Sequence, residues 1–504
     1  MRALGLTFSI LIAAAPASAN PRGAVKFEPL DGAPNALTTR GKTPVDSSIS
    51  PIIYLNRCVG GCTIIGGSTN DASSNMSSLP CAMGGTCMNG GCTCASPAGG
   101  TYMVGEFQSS SMMTGAAADA EWNAIVKCVK EVYSPYAMTV TDVQPPAGAS
   151  YTEGIIAGVP EDIGWKRSET GGIAVVSTQG ACVAKNNIIS FSFANIYSGP
   201  TRVLDICWTA SQETAHSFGL DHEYEFADGS SACRSPMTYR FDCGGEKFFR
   251  NLPAKCGEAA VRTCCSGGLQ DSHQKLLSIF GPGTPITTPP HVEIGTPANG
   301  ATIPSGTTVT ASSGSQRGVD KLELWLNNHK WVEVKGAAFG ANGQPDPSAY
   351  TLTIPAKVPD GVIDIQVKAF DDILVEGDSA TITVTKGAPC TSAATCLDGQ
   401  KCDAGKCYWD PPVGEIGDAC TYNEFCKNGL CADFGSQKVC SEVCIVGSTD
   451  ACPMGFTCED TGGMGLCVPP DTGGCCSISG PGAVWAHLGL AGIVLGFVMR
   501  RRKR

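Results

Sequence analysis

Residues 212–222 read Q-E-T-A-H-S-F-G-L-D-H and close a run whose periodicity predicts a helix over 202–218. On such a helix Gln212 and His216 lie four residues apart and project from the same face, with Glu213 one position round. Gly219 allows a sharp backbone turn, which carries His222 back toward His216. Gln212, His216 and His222 then supply three corners of a metal site, and Glu213 stands where a general base meets an activated water. Neutral imidazoles are good zinc donors, whereas the amide oxygen of Gln212 is harder and less basic. Its side chain is about as long as a histidine's, so the corner can be filled at a cost in affinity. Copper, which lies above zinc in the divalent affinity order, then becomes a competing occupant.

Residues 235–239 read S-P-M-T-Y, which puts Met237 fifteen residues beyond His222. Taken together, these segments resemble the metzincin zinc endopeptidases, with their helix motif H-E-x-x-H-x-x-G-x-x-H and a methionine turn beneath the metal. In this chain Gln212 replaces the first histidine of that motif, a change that some gametolysin-like members also carry. The resemblance extends over about residues 100–285. It implies His216, His222 and Gln212 as metal ligands, Glu213 as general base, Gly219 as the turn glycine and Met237 as the methionine under the site. Tyr239 is similar to the metal-facing tyrosine of astacins and serralysins, which implies a hydrogen bond to the developing oxyanion. Glu223 follows the third ligand as in astacins, but the rest of their signature is missing, so the resemblance is to the clan and not to a subfamily. The implied activity is hydrolysis of extracellular protein by metal-activated water, with Zn2+ as cofactor, or Cu2+, or a weakly held ion because of Gln212.

Both ends of the chain point to export. Residues 1–19 carry one early arginine, an apolar run and an A-S-A site, the pattern of a cleaved signal peptide. The 28 cysteines fall into groups of six (58–94), eight (128–265), twelve (390–467) and two (475–476). Even groups suit disulfides closed within each segment in an oxidising compartment, and the absence of paired C-x-x-C knuckles argues against zinc ribbons. Residues 482–499 are an apolar stretch followed by R-R-R-K-R, and G-G-C-C-S precedes it at 473–477. That combination resembles the C-terminal sorting tag of myxobacterial surface proteins. It implies a membrane-spanning segment until processing, then display at the cell surface or outer membrane or release to the medium. A net charge of −11 without basic clusters outside this tail argues against a nucleic-acid partner and leaves protein or peptide.

The expected fold class is therefore multidomain: an α+β metzincin-like catalytic domain, an all-β Ig-like sandwich and small disulfide-rich modules. The expected divisions are a signal peptide (1–19), a propeptide or tether (20–57), a cysteine-rich module (58–99), the catalytic domain (100–280), a Pro/Thr linker (281–290), the sandwich (291–386), cysteine-rich repeats (387–470) and the sorting tag (471–504). In the catalytic domain the patterns predict strands at 101–107, 138–143, 154–158, 173–177 and 187–193, with an amphipathic helix at 116–132. The cysteine-free stretch to 386 has alternating runs such as L-E-L-W-L and I-D-I-Q-V-K-A, the mark of an antiparallel sandwich, and resembles a bacterial Ig-like domain. The spacing C-T-S-A-A-T-C at 390 returns as C-T-Y-N-E-F-C at 420. Two rivals compete with the peptidase: a pseudoprotease that uses the same fold to bind peptide, and a surface adhesin working through its Ig-like and cysteine-rich parts.

Overall fold

The structure is a computed structural model that describes residues 48–82, 84–88, 91–94, 99–167, 170–175, 182–240, 246–265, 267–336, 348–434, 437–444, 452–460 and 465–468. It is multidomain, with many β-sheets, few helices and a disulfide-rich C-terminal region. The signal peptide, most of the 20–57 segment and the sorting tag lie outside the described residues. Among the described residues no helix is long and apolar enough to cross a membrane.

The domain that carries Gln212–His222 is built on a five-stranded sheet in the order Thr139–Thr141, Ile52–Asn56, Thr152–Ile156, Ile189–Ser192, Gly172–Ile173. The first four strands run parallel, and the edge strand Gly172–Ile173 is antiparallel to its neighbour. Ile52–Asn56 corrects the expected tether: its last residues are the second strand of the sheet. The cause is burial on both faces, with Ile53, Tyr54 and Leu55 all buried. Such a strand reads as a plain apolar run without alternation, which is easily taken for irregular chain. The segment 58–99 is likewise fused to this domain. Cys62–Gly66 pairs with Met76–Ser77 and Gly100–Val104, and Ile64, Ala72 and Cys81 join the same core as Ile53 and Phe191. Cys58 is bonded to Cys62.

Two helices cover the sheet. Helix α1, Asp119–Tyr133, buries Trp122, Ile125, Val126, Val129 and Val132, the apolar stripe expected of it. Helix α2, Arg202–Ser217, is buried on nearly every face from Ile206 onward, and a disulfide from Cys207 to Cys128 ties it to α1. A third helix, α3 (Ser272–Phe280), is capped by Asp271, whose carboxylate accepts from the Gln274 amide. It lies beyond a small antiparallel sheet of Glu223–Phe226, Ala254–Gly257 and Val261–Arg262. The expected linker is laid down on the domain: Ala137 donates to Gly281 O, Gly283 to Pro135 O, and Ile286 to Ser134 Oγ.

The sandwich has one sheet of His291–Thr296, Thr308–Gly314 and Ser348–Thr353. The facing sheet is centred on Lys321–Leu326 and Gly361–Phe370. The latter strand alternates buried and half-buried residues along its length, with Ile363, Ile365, Val367 and Ala369 inward. Three disulfide knots follow with one crossing pattern, first to third and second to fourth cysteine: 390–402 with 396–407, 420–431 with 426–440, and 444–458 with 452–467. The spacing repeat marked two of them, and the structure adds the third. Every disulfide whose two ends are described joins cysteines of one sequence group, as the parity requires.

Candidate metal centre

Several contacts fix the roll of α2. At its start the Arg202 guanidinium donates to the carbonyls of Tyr197, Gln108 and Ala194 and pairs with Glu121. Further along, the Tyr133 hydroxyl of α1 donates to Ser211 O at 2.9 Å and lies 2.8 Å from Thr214 Oγ1. Below the helix, a Cβ added to Gly154 of the sheet would stand 3.0 Å from Thr214 Cγ2, so the helix is seated directly on the backbone. Ser211 and Thr214 are thus held against α1 and the sheet, which leaves Gln212, Glu213 and His216 a fixed direction.

The helix stops at Ser217, and Gly219 turns the chain with φ +78°. A Cβ there would also meet Cys182 C and O at 2.5 Å, so both conformation and space demand glycine. Lys275 of α3 fastens the turn by donating to Cys182 O at 2.9 Å and to Gly219 O. The turn places His222 Nε2 3.1 Å from His216 Nε2, with the rings edge to face.

The other ring nitrogens decide what that distance means. His216 Nδ1 lies 2.8 Å from Leu220 O, a carbonyl that only accepts, so Nδ1 carries the hydrogen. Burial, and then His222, push the His216 pKa down to about 3, so the ring is neutral and its Nε2 bears a lone pair. His222 Nδ1 lies 2.7 Å from Glu258 Oε1. Against the cost of burial, hydrogen bonds from His222 and Arg262 hold Glu258 down to about 2, so it is a carboxylate and accepts from Nδ1–H. Two Nε2 lone pairs then face each other at 3.1 Å, a repulsive contact unless a cation or a shared proton lies between them. Two nitrogens bound to one tetrahedral zinc sit about 3.3 Å apart, close to this separation.

Gln212 is buried, and its Nε2 has no hydrogen-bond partner. A half-turn of the amide exchanges nitrogen for oxygen and offers an acceptor with no donor yet engaged. The residues present therefore fit a divalent ion: two oriented imidazoles and one amide with an unmet demand. Asp221, His222 and Glu258 also converge, but Arg262 occupies both carboxylates, with Nη2 2.6 Å from Asp221 Oδ1 and 2.6 Å from Glu258 Oε1. They orient His222 rather than form a second centre.

Glu213 is buried, and burial pushes its carboxyl up to about 8, the range of a group that takes up and returns a proton near neutrality. It lies against the edge strand: a Cβ on Gly172 would stand 2.7 Å from Glu213 Cγ and 2.8 Å from Oε1. Met237 is fully buried, and its carbonyl accepts from the Glu223 amide at 2.7 Å, which ties the turn to the residue after His222. Tyr239 is half exposed, with its ring centroid 4.5 Å from that of His222. Burial, and then Glu213, raise its hydroxyl pKa, so it stays a neutral donor. Of the site residues expected from the sequence, His216, His222 and Tyr239 thus come together, while Glu213 packs against the edge strand. The sequence reading missed Asp221, Glu258, Arg262 and Gly172. Glu258 comes 36 positions after His222 in a lobe without periodicity, so no spacing rule reaches it. Gly172 did leave a signal, in the pair G-G before I-A-V-V.

His273 is a core residue whose Nδ1 lies 3.0 Å from the Tyr136 hydroxyl. The three-cysteine clusters at 390–407, 420–431 and 444–458 are disulfide-bonded and hold no thiolates for a metal.

A family model described as "Bacterial Ig domain" matches residues 290–384. No curated protein matches the chain. Among solved structures the chain is similar to the fibronectin(III)-like modules of Clostridium thermocellum CbhA, at 18% identity over 19% of this chain and 94% of that one, TM-score 0.15. It is also similar to an endo-beta-1,4-mannanase from Thermotoga petrophila, at 14% identity over 23% of each chain, TM-score 0.16. A third likeness is to a Jonesia denitrificans lytic polysaccharide monooxygenase, at 15% identity over 32% of this chain and 99% of that one, TM-score 0.15. At these TM-scores the likenesses carry nothing about the site. Sequence pattern, two-sheet architecture and family match agree on one part of the chain: residues 290–384 are a bacterial Ig domain.

Proposed function

We propose that the chain is an exported metal-dependent endopeptidase, of metzincin type, acting on extracellular protein at the cell surface or in the medium. One observation carries the reading: the two Nε2 atoms of His216 and His222, 3.1 Å apart with both Nδ1 atoms engaged elsewhere, on and just beyond the helix that bears the buried carboxyl of Glu213. His216, His222 and Gln212 would hold Zn2+, or Cu2+ in its place, and such an ion supplies water activation and polarises a carbonyl. Glu213 takes the water's proton and returns it to the leaving amine, the work suited to a carboxyl pushed up to about 8. Tyr239 donates its hydroxyl to the oxygen on which charge develops. Among the described residues the outer side of Gly172–Ile173 has no strand partner, so an extended peptide can pair with it and run past Glu213. The disulfides suit an oxidising compartment, in line with the signal peptide and sorting tag read from the ends of the chain.

The pseudoprotease reading is favoured by Gln212 alone, because a neutral amide weakens the third corner. Metal content of the folded chain after dialysis against metal-free buffer, with Gln212→His alongside, separates the two. About one zinc or copper per natural chain supports the peptidase. Metal retained by Gln212→His alone supports a peptide-binding role.

A further inference from the structure

An Ig domain on an exported enzyme is ordinarily a spacer, joined by a linker and dispensable to the site. Here one loop and one strand end of the sandwich reach into the neighbouring domain with buried charges. Arg317 lies in the loop after Thr308–Gly314, and Asp372 lies just beyond Gly361–Phe370. The Arg317 side chain is 0% exposed. Its Nε and Nη2 donate to Asp372 Oδ1 and Oδ2 at 2.9 and 3.0 Å, and Nη2 also donates to Phe249 O at 3.0 Å. Asp372 in turn accepts from the Asn251 amide at 2.9 Å and pairs with Arg250 Nε at 3.3 Å, while Arg250 donates to Arg317 O. The guanidinium lies 5.0 Å from the centre of the Phe248 ring. A stretch of four residues, 248–251, is therefore gripped from the sandwich side by one bidentate ion pair.

On its other side the same stretch packs against α1. The Phe249 ring lies 5.2 Å from the ring of Tyr133, the residue whose hydroxyl holds Ser211 and Thr214 on either side of Gln212 and Glu213. The Phe248 amide donates to Arg234 O at 3.0 Å, next to Ser235, whose hydroxyl accepts from the Met237 amide. Segment 248–251 thus touches Tyr133 of α1, which braces the helix bearing Gln212, Glu213 and His216, and Arg234, beside the methionine turn.

We propose that the Ig domain is a built-in support of the metal centre, with Arg317 and Asp372 as positioning residues that hold 248–251 against α1 and the methionine turn. The inference rests on the proposed reading of the site for its consequence in metal affinity. Its mechanical core stands on the contacts alone. Such a bidentate pair is not replaceable by lysine, which keeps the charge and loses the fork that spans Asp372 and Phe249 O.

Hydrogen–deuterium exchange of the full chain tests it, comparing the natural protein with Asp372→Ala, Arg317→Lys and Leu352→Ala, the last a change in the sandwich core far from the contact. Asp372→Ala is expected to raise exchange about tenfold or more in 246–252 and in 208–217. Arg317→Lys should give a smaller rise in the same two segments, and Leu352→Ala a rise confined to the sandwich. Exchange that rises in Asp372→Ala only around 315–320 and 370–375, with 208–217 unchanged, overturns the proposal. If Asp372→Ala does not fold, Arg317→Lys decides in the same way. Zinc titration against a chelator is run in parallel, where Asp372→Ala is expected to bind about tenfold more weakly. Natural protein that binds no zinc would remove the metal reading and leave the exchange result to judge the support by itself.

Discussion

Glu258 left no mark in the sequence, yet the geometry gives it a specific role, that of fixing which nitrogen of His222 is free. In Glu258→Ala the 2.7 Å acceptor for Nδ1–H disappears, and His222 can turn or carry its hydrogen on Nε2, where it blocks metal. Loss of such a carboxylate behind a metal-bound histidine weakens binding about 10–100-fold, which is roughly 1.4–2.8 kcal/mol. The change leaves no charge stranded, because Arg262 keeps its two contacts with Asp221 at 2.6 and 2.7 Å and is 41% exposed. The fold should therefore survive, and the effect should stay at His222. Glu258→Gln retains an acceptor oxygen but not the charge, so its affinity should fall between the natural protein and Glu258→Ala. Competition for zinc against a chromogenic chelator at neutral pH measures the order. If Glu258→Ala matches the natural protein within about twofold, His222 is not oriented as described and the donor set is wrong.

Three other perturbations have distinct signatures. Gly172→Ala puts a methyl group into the Glu213 carboxyl and, at 2.6 Å, onto Thr209 Cγ2; a displacement of the base by about 1 Å should cost about 100-fold in kcat with metal content unchanged, and unaltered turnover would contradict the role of Glu213. Gln212→His replaces the weak amide donor and should tighten zinc about tenfold or more in the chelator assay; unchanged affinity would show that Gln212 does not face the ion. Glu153, on the opposite face of the sheet from Thr214, has its carboxyl pushed by burial from the ordinary 4.5 to about 7, against a hydrogen bond from Asn56. The folded state thus holds a proton that the unfolded chain has released. The associated stabilisation is complete below pH 4.5 and is lost as pH rises through about 7, on the order of 3 kcal/mol in all. Urea unfolding across pH 5 to 8 should show that fall in the natural protein and a flatter profile in Glu153→Gln; parallel profiles would refute it.

What could be read in the sequence follows from the kind of signal each element leaves. Helix α2 and the Gly219 turn were legible because ligand spacing, helix period and the need for glycine coincide within eleven residues. Gly361–Phe370 was legible because one face of that strand is inward and the other outward. Ile52–Asn56 was lost because a parallel strand buried on both faces shows no alternation, and an unstructured-looking Pro/Ser/Thr stretch precedes it. The cysteine groups told which residues pair within a segment but not how, since parity constrains sets and not partners. Around the centre, the proposed donors come from one helix and the turn after it. Their supports, Glu258 and Arg262 on a hairpin, Gly172 on an edge strand and Arg317 and Asp372 in the sandwich, are brought in by tertiary packing, for which linear spacing carries no mark.

The most direct trial of the peptidase reading is cleavage of an unfolded protein substrate by the full chain loaded with zinc, compared with Glu213→Gln, which keeps the shape of the buried side chain and removes its capacity to take a proton. Cleavage by the natural protein that falls at least about 100-fold in Glu213→Gln, with equal zinc in both, is the expected result. Natural protein that carries zinc and leaves every substrate intact, or Glu213→Gln that cleaves as fast, would contradict it.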